Sequence, residues 1–168
     1  HPVAIEFETA IDDRPLEVRV ARAVRQALRD IGGDLGDVLV FLPGVGEIRR
    51  AAEALADLPA SQVRVLPLHG DLPGEVQDEA LQRGTVRRVV LATNVAETSV
   101  TVEGVRTVID SGLVRTLRFD PATGLDSLVL GRVSRASADQ RAGRAGREEP
   151  GRCIRLWTAA EDRALQPF

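Results

Sequence analysis

The stretch Val38-Leu-Val-Phe-Leu-Pro-Gly44 decides the fold. Its apolar residues run without a polar break, which fits a strand buried on both faces better than the alternating pattern of a half-exposed one. Pro43-Gly44 stops the run, and Ile48, Ala51, Ala52 and Leu55 then recur at helical spacing before Pro59. Buried strand, tight turn and amphipathic helix form the first half of a βαβ unit. Apolar runs at Val3–Phe7, Val63–Leu68, Val86–Leu91, Val105–Ile109 and Cys153–Trp157 read as further strands buried on both faces. Leu16–Ile31 carries a helical stripe that ends at Gly32-Gly33, and Glu75–Leu81 follows the helix opener Pro73-Gly74. This alternation predicts an α/β domain over residues 1–168, with one mainly parallel sheet covered by helices and right-handed crossovers.

One region breaks the alternation. Val114–Phe119 and Leu125–Leu130 read as two strands joined by Asp120-Pro-Ala-Thr-Gly124, whose Asp-Pro opening and closing glycine are turn chemistry.

Gln140-Arg-Ala-Gly-Arg-Ala-Gly-Arg147 is the stretch most loaded with chemistry. Ser137-x-x-Gln140 has the form of a capping box, and a helix started there puts Gln140, Arg144 and Arg147 on one face. Two planar cationic forks and an amide on one face suit the oxygens of a phosphate chain.

Parallel sheets bind ligands beyond the carboxyl ends of their strands. Here those ends carry Pro43-Gly44, His69-Gly70 and Thr93-Asn94. A glycine leaves backbone open to a phosphate, and short uncharged donors hold sugar and phosphate oxygens without reading bases.

In order and spacing these segments resemble the second RecA-like lobe, the helicase C-terminal domain, of DEAH-box superfamily 2 RNA helicases. Gln140–Arg147 looks like motif VI, Leu91-Ala-Thr-Asn-Val-Ala-Glu-Thr-Ser-Val-Thr-Val102 like motif V, and Val38–Gly44 with Glu47-Ile48 like motif IV. Leu66-Pro-Leu-His-Gly-Asp-Leu72, Val108–Val114 and Phe119–Leu125 continue the likeness, which runs from about residue 2 to 158 and leans toward the bacterial HrpB-like branch.

The resemblance implies a RecA-like three-layer fold with a β-hairpin between motifs V and VI, beside the RNA path. It also implies a sandwiched ATP. Arg144 and Arg147 would act as arginine fingers on its γ-phosphate, and Gln140 would help to place the attacking water. Ser99, Thr101 and Glu103 would lie toward the nucleotide and its ribose, and Leu81 beside the base. Thr93, Asn94 and the loop at Gly44 would hold the backbone of single-stranded RNA. Relatives usually have Asp where Glu103 stands and many have Phe where Leu81 stands, so ribose contact and base selectivity are open at those positions. The first lobe, holding most of the ATP and Mg contacts, is the expected partner within the same polypeptide. This lobe alone is expected to be monomeric and inactive.

Composition bounds the chemistry. All 22 basic residues are arginine, so no GxxxxGK[ST] phosphate loop is present. Asp78-Glu79-Ala80-Leu81 reads as the polar side of a surface helix, not as a metal-binding DExH box. His1 and His69 have no companion at metal-ligand spacing, and Cys153 sits in an apolar strand run. The absence of a membrane-length apolar run or signal peptide leads us to expect a cytoplasmic protein.

The formal charge is −3, yet residues 132 to 155 hold seven arginines against three acids, which predicts a basic patch on an acidic body. Two rival readings remain open: a non-catalytic RNA- or protein-binding module, and one lobe of a DNA translocase.

Overall fold

The computed structural model describes residues 1–30 and 36–168; Ile31 and the helix-ending Gly32-Gly33 lie outside the described residues. The order is β1 (Val3–Glu8), α1 (Leu16–Asp30), β2 (Asp37–Phe41), α2 (Val45–Ala54), β3 (Val63–Leu68), α3 (Gly74–Leu81), β4 (Arg87–Ala92) and α4 (Val95–Thr98). Then follow β5 (Val105–Asp110), β6 (Leu113–Asp120), β7 (Leu125–Arg132), α5 (Arg135–Gly143), a 3-10 turn (Arg144–Gly146), β8 (Gly151–Thr158) and α6 (Ala159–Arg163).

Six strands form one sheet in the order β1-β8-β5-β2-β4-β3. Every pairing in it is parallel. The register explains the layers. Val38, Val40 and Leu42 pack with Val20, Val24, Ile48, Ala51 and Leu55 of α1 and α2. Leu39 and Phe41 point the other way, toward Ala80, Ala96, Ala142 and Ala145. Alternate residues of one strand thus serve two cores, which is why its sequence shows no polar break.

The edge strands correct the sequence reading. Ala4, Ile5 and Glu6 of β1 are exposed, and Val63–Pro67 of β3 is at most half-buried. Each edge strand has a neighbour on one side only, so an apolar run there does not report burial on both faces.

β6 and β7 form the expected antiparallel hairpin, with Leu117 opposite Leu128. Asp120 builds its turn: its carboxylate accepts the N–H of Ala122 at 2.9 Å and its carbonyl accepts that of Gly124 at 2.8 Å. At the root of the hairpin, Gly112 has φ +75° and a Cβ there would meet the Trp157 ring at 2.7 Å, so only glycine fits. Among the described residues no helix is long and apolar enough to cross a membrane.

Candidate functional site

Gln140, Gly143, Arg144 and Arg147 share one surface pocket with Glu97 and Thr98 of α4. The segment is helical, but the start differs from expectation. Ser134 is the N-cap, accepting the N–H of Ser137 at 3.1 Å, so no capping box closes at Gln140. The next two open donors, on Arg135 and Ala136, go to the carbonyls of Gln166 and Pro167. The Gln140 side chain is therefore exposed and free of a capping duty.

Glu97 organises this pocket and had no role in the sequence reading. Its carboxylate accepts from Ser137 Oγ at 2.6 Å and from Arg141 Nε at 2.9 Å, while its carbonyl accepts Nε and Nη2 of Arg144. Arg147 extends to Thr101 Oγ1 at 2.7 Å. Burial first, and the neighbouring Arg147 second, push the Arg144 guanidinium below its ordinary value. Two cations held close in a partly desolvated pocket form a site for an anion.

Arg141 plays a different part. It is fully buried beneath the pocket, donates to Asp110 Oδ1 at 2.9 Å and lies 4.9 Å from the centre of the Phe41 ring. Burial raises Asp110 and the Arg141 charge opposes that shift. A signal for this was present in the sequence. Ala138, Arg141, Ala142 and Ala145 follow the spacing i, i+3, i+4, i+7, and all four are buried.

The basic patch does not exist as expected. Arg155 is also buried and pairs with Asp139 and Asp162. Arg132 pairs with Glu161, Arg135 with Asp162, and Arg152 with Glu6 and Asp30. Only Arg144 and Arg147 of the seven turn toward the pocket, because tertiary pairing with distant acids cancels the local excess.

The remaining nucleotide-side candidates are arranged in part around this pocket. Thr101 joins it through Arg147, and Ser99 is exposed at the end of α4. Glu103 and Leu81 are neighbours, the Glu103 N–H donating to the Leu81 carbonyl at 2.9 Å. Buried Arg88 fixes this corner, donating to Ala80 O at 2.6 Å and Glu103 O at 2.5 Å while paired with Asp37. The Glu103 side chain stays exposed, and Leu81 is half-buried.

On the carboxyl ends of the strands, Gly44, Thr93 and Asn94 line a second, open cleft with His69, Arg115 and Leu128. The Thr93 N–H is fixed to the end of β3 through Leu68 O at 3.1 Å, and Asn94 opens α4 with no side-chain capping bond. The short helix α4 thus stands between the cleft and the arginine pocket. Cys153 is buried and its thiol is pushed up to about 12, chiefly by burial, so it is not a reactive group. Among the described residues no group of His, Cys, Asp or Glu is disposed to hold a metal ion.

The family described as helicase conserved C-terminal domain matches residues 20–149. The chain belongs to that family. It is 51% identical over 139 residues to the ATP-dependent RNA helicase HrpB of Escherichia coli (strain K12), a match covering 82% of this chain and 17% of that protein. The crystal structure of the E. coli DExH-box NTPase HrpB superposes with a TM-score of 0.91 at 43% identity, covering 99% of this chain and 20% of the other. A second crystal structure, of the E. coli DEAH/RHA helicase HrpB, gives 0.90 at 43% identity over 98% of this chain and 21% of the other. This helicase C-terminal domain therefore spans about a fifth of the length of the relatives it matches. The all-parallel sheet and the inserted hairpin agree with the RecA-like fold of those structures.

Proposed function

We propose that this chain is the second motor lobe of an ATP-dependent RNA helicase of the HrpB-like branch, working in the cytoplasm. The observation that carries the reading is the pairing of Arg144 and Arg147 beside Gln140 in one pocket, four residues along α4 from the Thr93-Asn94 cleft. ATP, with its Mg ion held mainly by the first lobe, supplies a triphosphate whose terminal group gathers negative charge as it is transferred. The pocket fits that group: Arg144 and Arg147 are its cations, and the Gln140 amide has no hydrogen-bond duty in the helix cap.

In this reading Arg144 and Arg147 stabilise the developing charge and Gln140 orients the attacking water. Thr101 holds Arg147 in place, and Ser99, Glu103 and Leu81 face the nucleoside side. Thr93, Asn94 and the Gly44 loop grip the backbone of single-stranded RNA. Because α4 is bonded to α5 through Glu97, a shift of the grip is passed to the arginines.

The test is ATP hydrolysis by the full-length protein and by the isolated 168-residue chain, each with and without single-stranded RNA or DNA. The full-length protein is expected to turn over faster with RNA, and the isolated chain not to turn over. Hydrolysis by the isolated chain, abolished by Gln140→Ala, would overturn this reading. Stimulation by DNA alone would make the chain a lobe of a DNA translocase.

A further inference from the structure

Sequence reasoning treated Gly44 as open backbone for a phosphate. The structure puts a guanidinium there instead. A Cβ on Gly44 would lie 2.6 Å from Nη1 of Arg115 and 3.5 Å from Oε2 of Glu47. Arg115 comes from β6, at the root of the hairpin, and its Nη1 donates to Glu47 Oε1 of α2. Arg50 approaches the other oxygen of the same carboxylate at 3.6 Å. One acid therefore holds both cations of the cleft. The Glu47 side chain is 10% exposed and that of Arg115 is 34% exposed, so the arginine is the partner that meets solvent.

We propose that Arg115 is a phosphate-binding residue of the RNA cleft, held in reserve by Glu47, and that Gly44 is glycine to make room for its guanidinium. A cleft lined by Thr93 and Asn94 offers neutral donors, whereas affinity for a nucleic acid strand comes largely from cations that release its counterions. Arg115 uses one of its nitrogens on Glu47, and its fork keeps further donors for a phosphate oxygen. When the partly exposed Arg115 turns to a phosphate, Glu47 keeps Arg50 at 3.6 Å, so the carboxylate is displaced without being left unpaired. Glu47 both aims the fork into the cleft and competes with the ligand for it. In the absence of RNA, Glu47 offsets one of the two arginine charges of the cleft, which is also lined by Asp71.

This inference rests on the cleft being the RNA site, and the experiment separates the two. Binding of a fluorescent single-stranded oligouridylate to the full-length protein is followed by anisotropy, without nucleotide, over a series of salt concentrations. Arg115→Ala is expected to weaken binding about tenfold and to flatten the slope of log affinity against log salt by about 0.7, one phosphate contact on a single strand. Glu47→Gln is expected to tighten binding several-fold, a direction that a purely structural ion pair would not give. Gly44→Ala is expected to weaken binding as Arg115→Ala does, with no further loss when the two are combined. Arg115→Lys keeps the charge and loses the fork, so it should keep the slope and lose part of the affinity. It carries the test if Arg115→Ala does not fold.

Unchanged affinity and slope in both Arg115 variants, with binding still lost in Thr93→Ala/Asn94→Ala, would overturn the role of Arg115 and leave the cleft intact. Unchanged binding in all of these variants would overturn the RNA cleft itself. Weaker binding in Glu47→Gln would overturn the competition.

Discussion

Beside Gln140, Arg144 and Arg147 line one pocket with their guanidinium groups on a backbone carbonyl and a hydroxyl, Glu97 O and Thr101 Oγ1. Beside Gly44, Arg50 and Arg115 share the carboxylate of Glu47. In the first pocket the Glu97 carboxylate is engaged by Ser137 and Arg141, so the charges of Arg144 and Arg147 rest on neutral oxygens. The second carries its own counter-charge, so a ligand must compete for it. The first arrangement suits a group whose charge grows during reaction, because positive potential costs nothing to rearrange at that moment. The second suits a strand that has to be gripped and let go repeatedly. One lobe thus uses the same side chain for chemistry and for grip, and the neighbouring acid makes the difference.

The sharpest way to break this comparison is Arg147→Ala in the full-length protein. A group that meets charge as it develops contributes to rate and little to ground-state affinity. RNA-stimulated turnover at saturating ATP should fall on the order of 10³-fold to 10⁵-fold, with RNA binding and thermal stability near wild type. Arg147→Lys should rescue poorly, since a point charge does not reproduce the fork. Near-normal turnover would move the role to Arg144.

Arg141→Met probes the third arginine of the same segment, which lies under the pocket. It leaves Asp110 buried without its cation, and loss of one partner of a buried pair costs roughly 3–5 kcal/mol. Urea denaturation should show that loss directly. A stable Arg141→Met variant with low turnover would mean that Arg141 acts on the nucleotide and is no mere support.

A smaller effect tests the grip. Thr93→Ala with Asn94→Ala should cost about 1–2 kcal/mol in affinity for single-stranded RNA, alike for different sequences, because backbone contacts carry no base information. Anisotropy with several homopolymers would reveal any unequal loss and so replace backbone grip with base reading. The smallest effect concerns the start of α5. Ser134→Ala should lower stability by about 1 kcal/mol through loss of the cap, while Gln140→Ala should leave it unchanged. A thermal melt distinguishes the two.

Much of this molecule could be read from its sequence for a plain reason. β2, β4 and β5 are covered on both sides, so their apolar runs are unbroken, and the helices between them show regular stripes. The turn at Asp120–Gly124 was equally legible, since its chemistry is local. Failures came where a distant residue decides. Arg152 looks like part of a basic cluster until Glu6, at the other end of the chain, is placed beside it. The cap is Ser134 and not Ser137: the residue three beyond Ser134 is a serine, without the acid or amide that the box pattern seeks, and the carbonyls of Gln166 and Pro167 take the donors of Arg135 and Ala136 instead. Gly44 lines the cleft with Thr93 and Asn94, but its neighbour Arg115 lies on an element that no short motif joins to it. The inward stripe that contains Arg141 was readable in principle. The functional meaning of the surrounding arginines hid it.

The pairing of β1 with β8 also has a kinetic side. Val3 is aligned with Gly151, and β8 lies between β1 and β5. Contacts this far apart in sequence must close a long loop before they return any stability, and parallel sheets with such closure fold slowly. During synthesis the strands β2 to β5 can assemble as soon as they emerge, whereas β1 has no neighbour until nearly the whole lobe has been made. Its exposed apolar edge, Ile5 included, is then the segment most in need of protection by a chaperone.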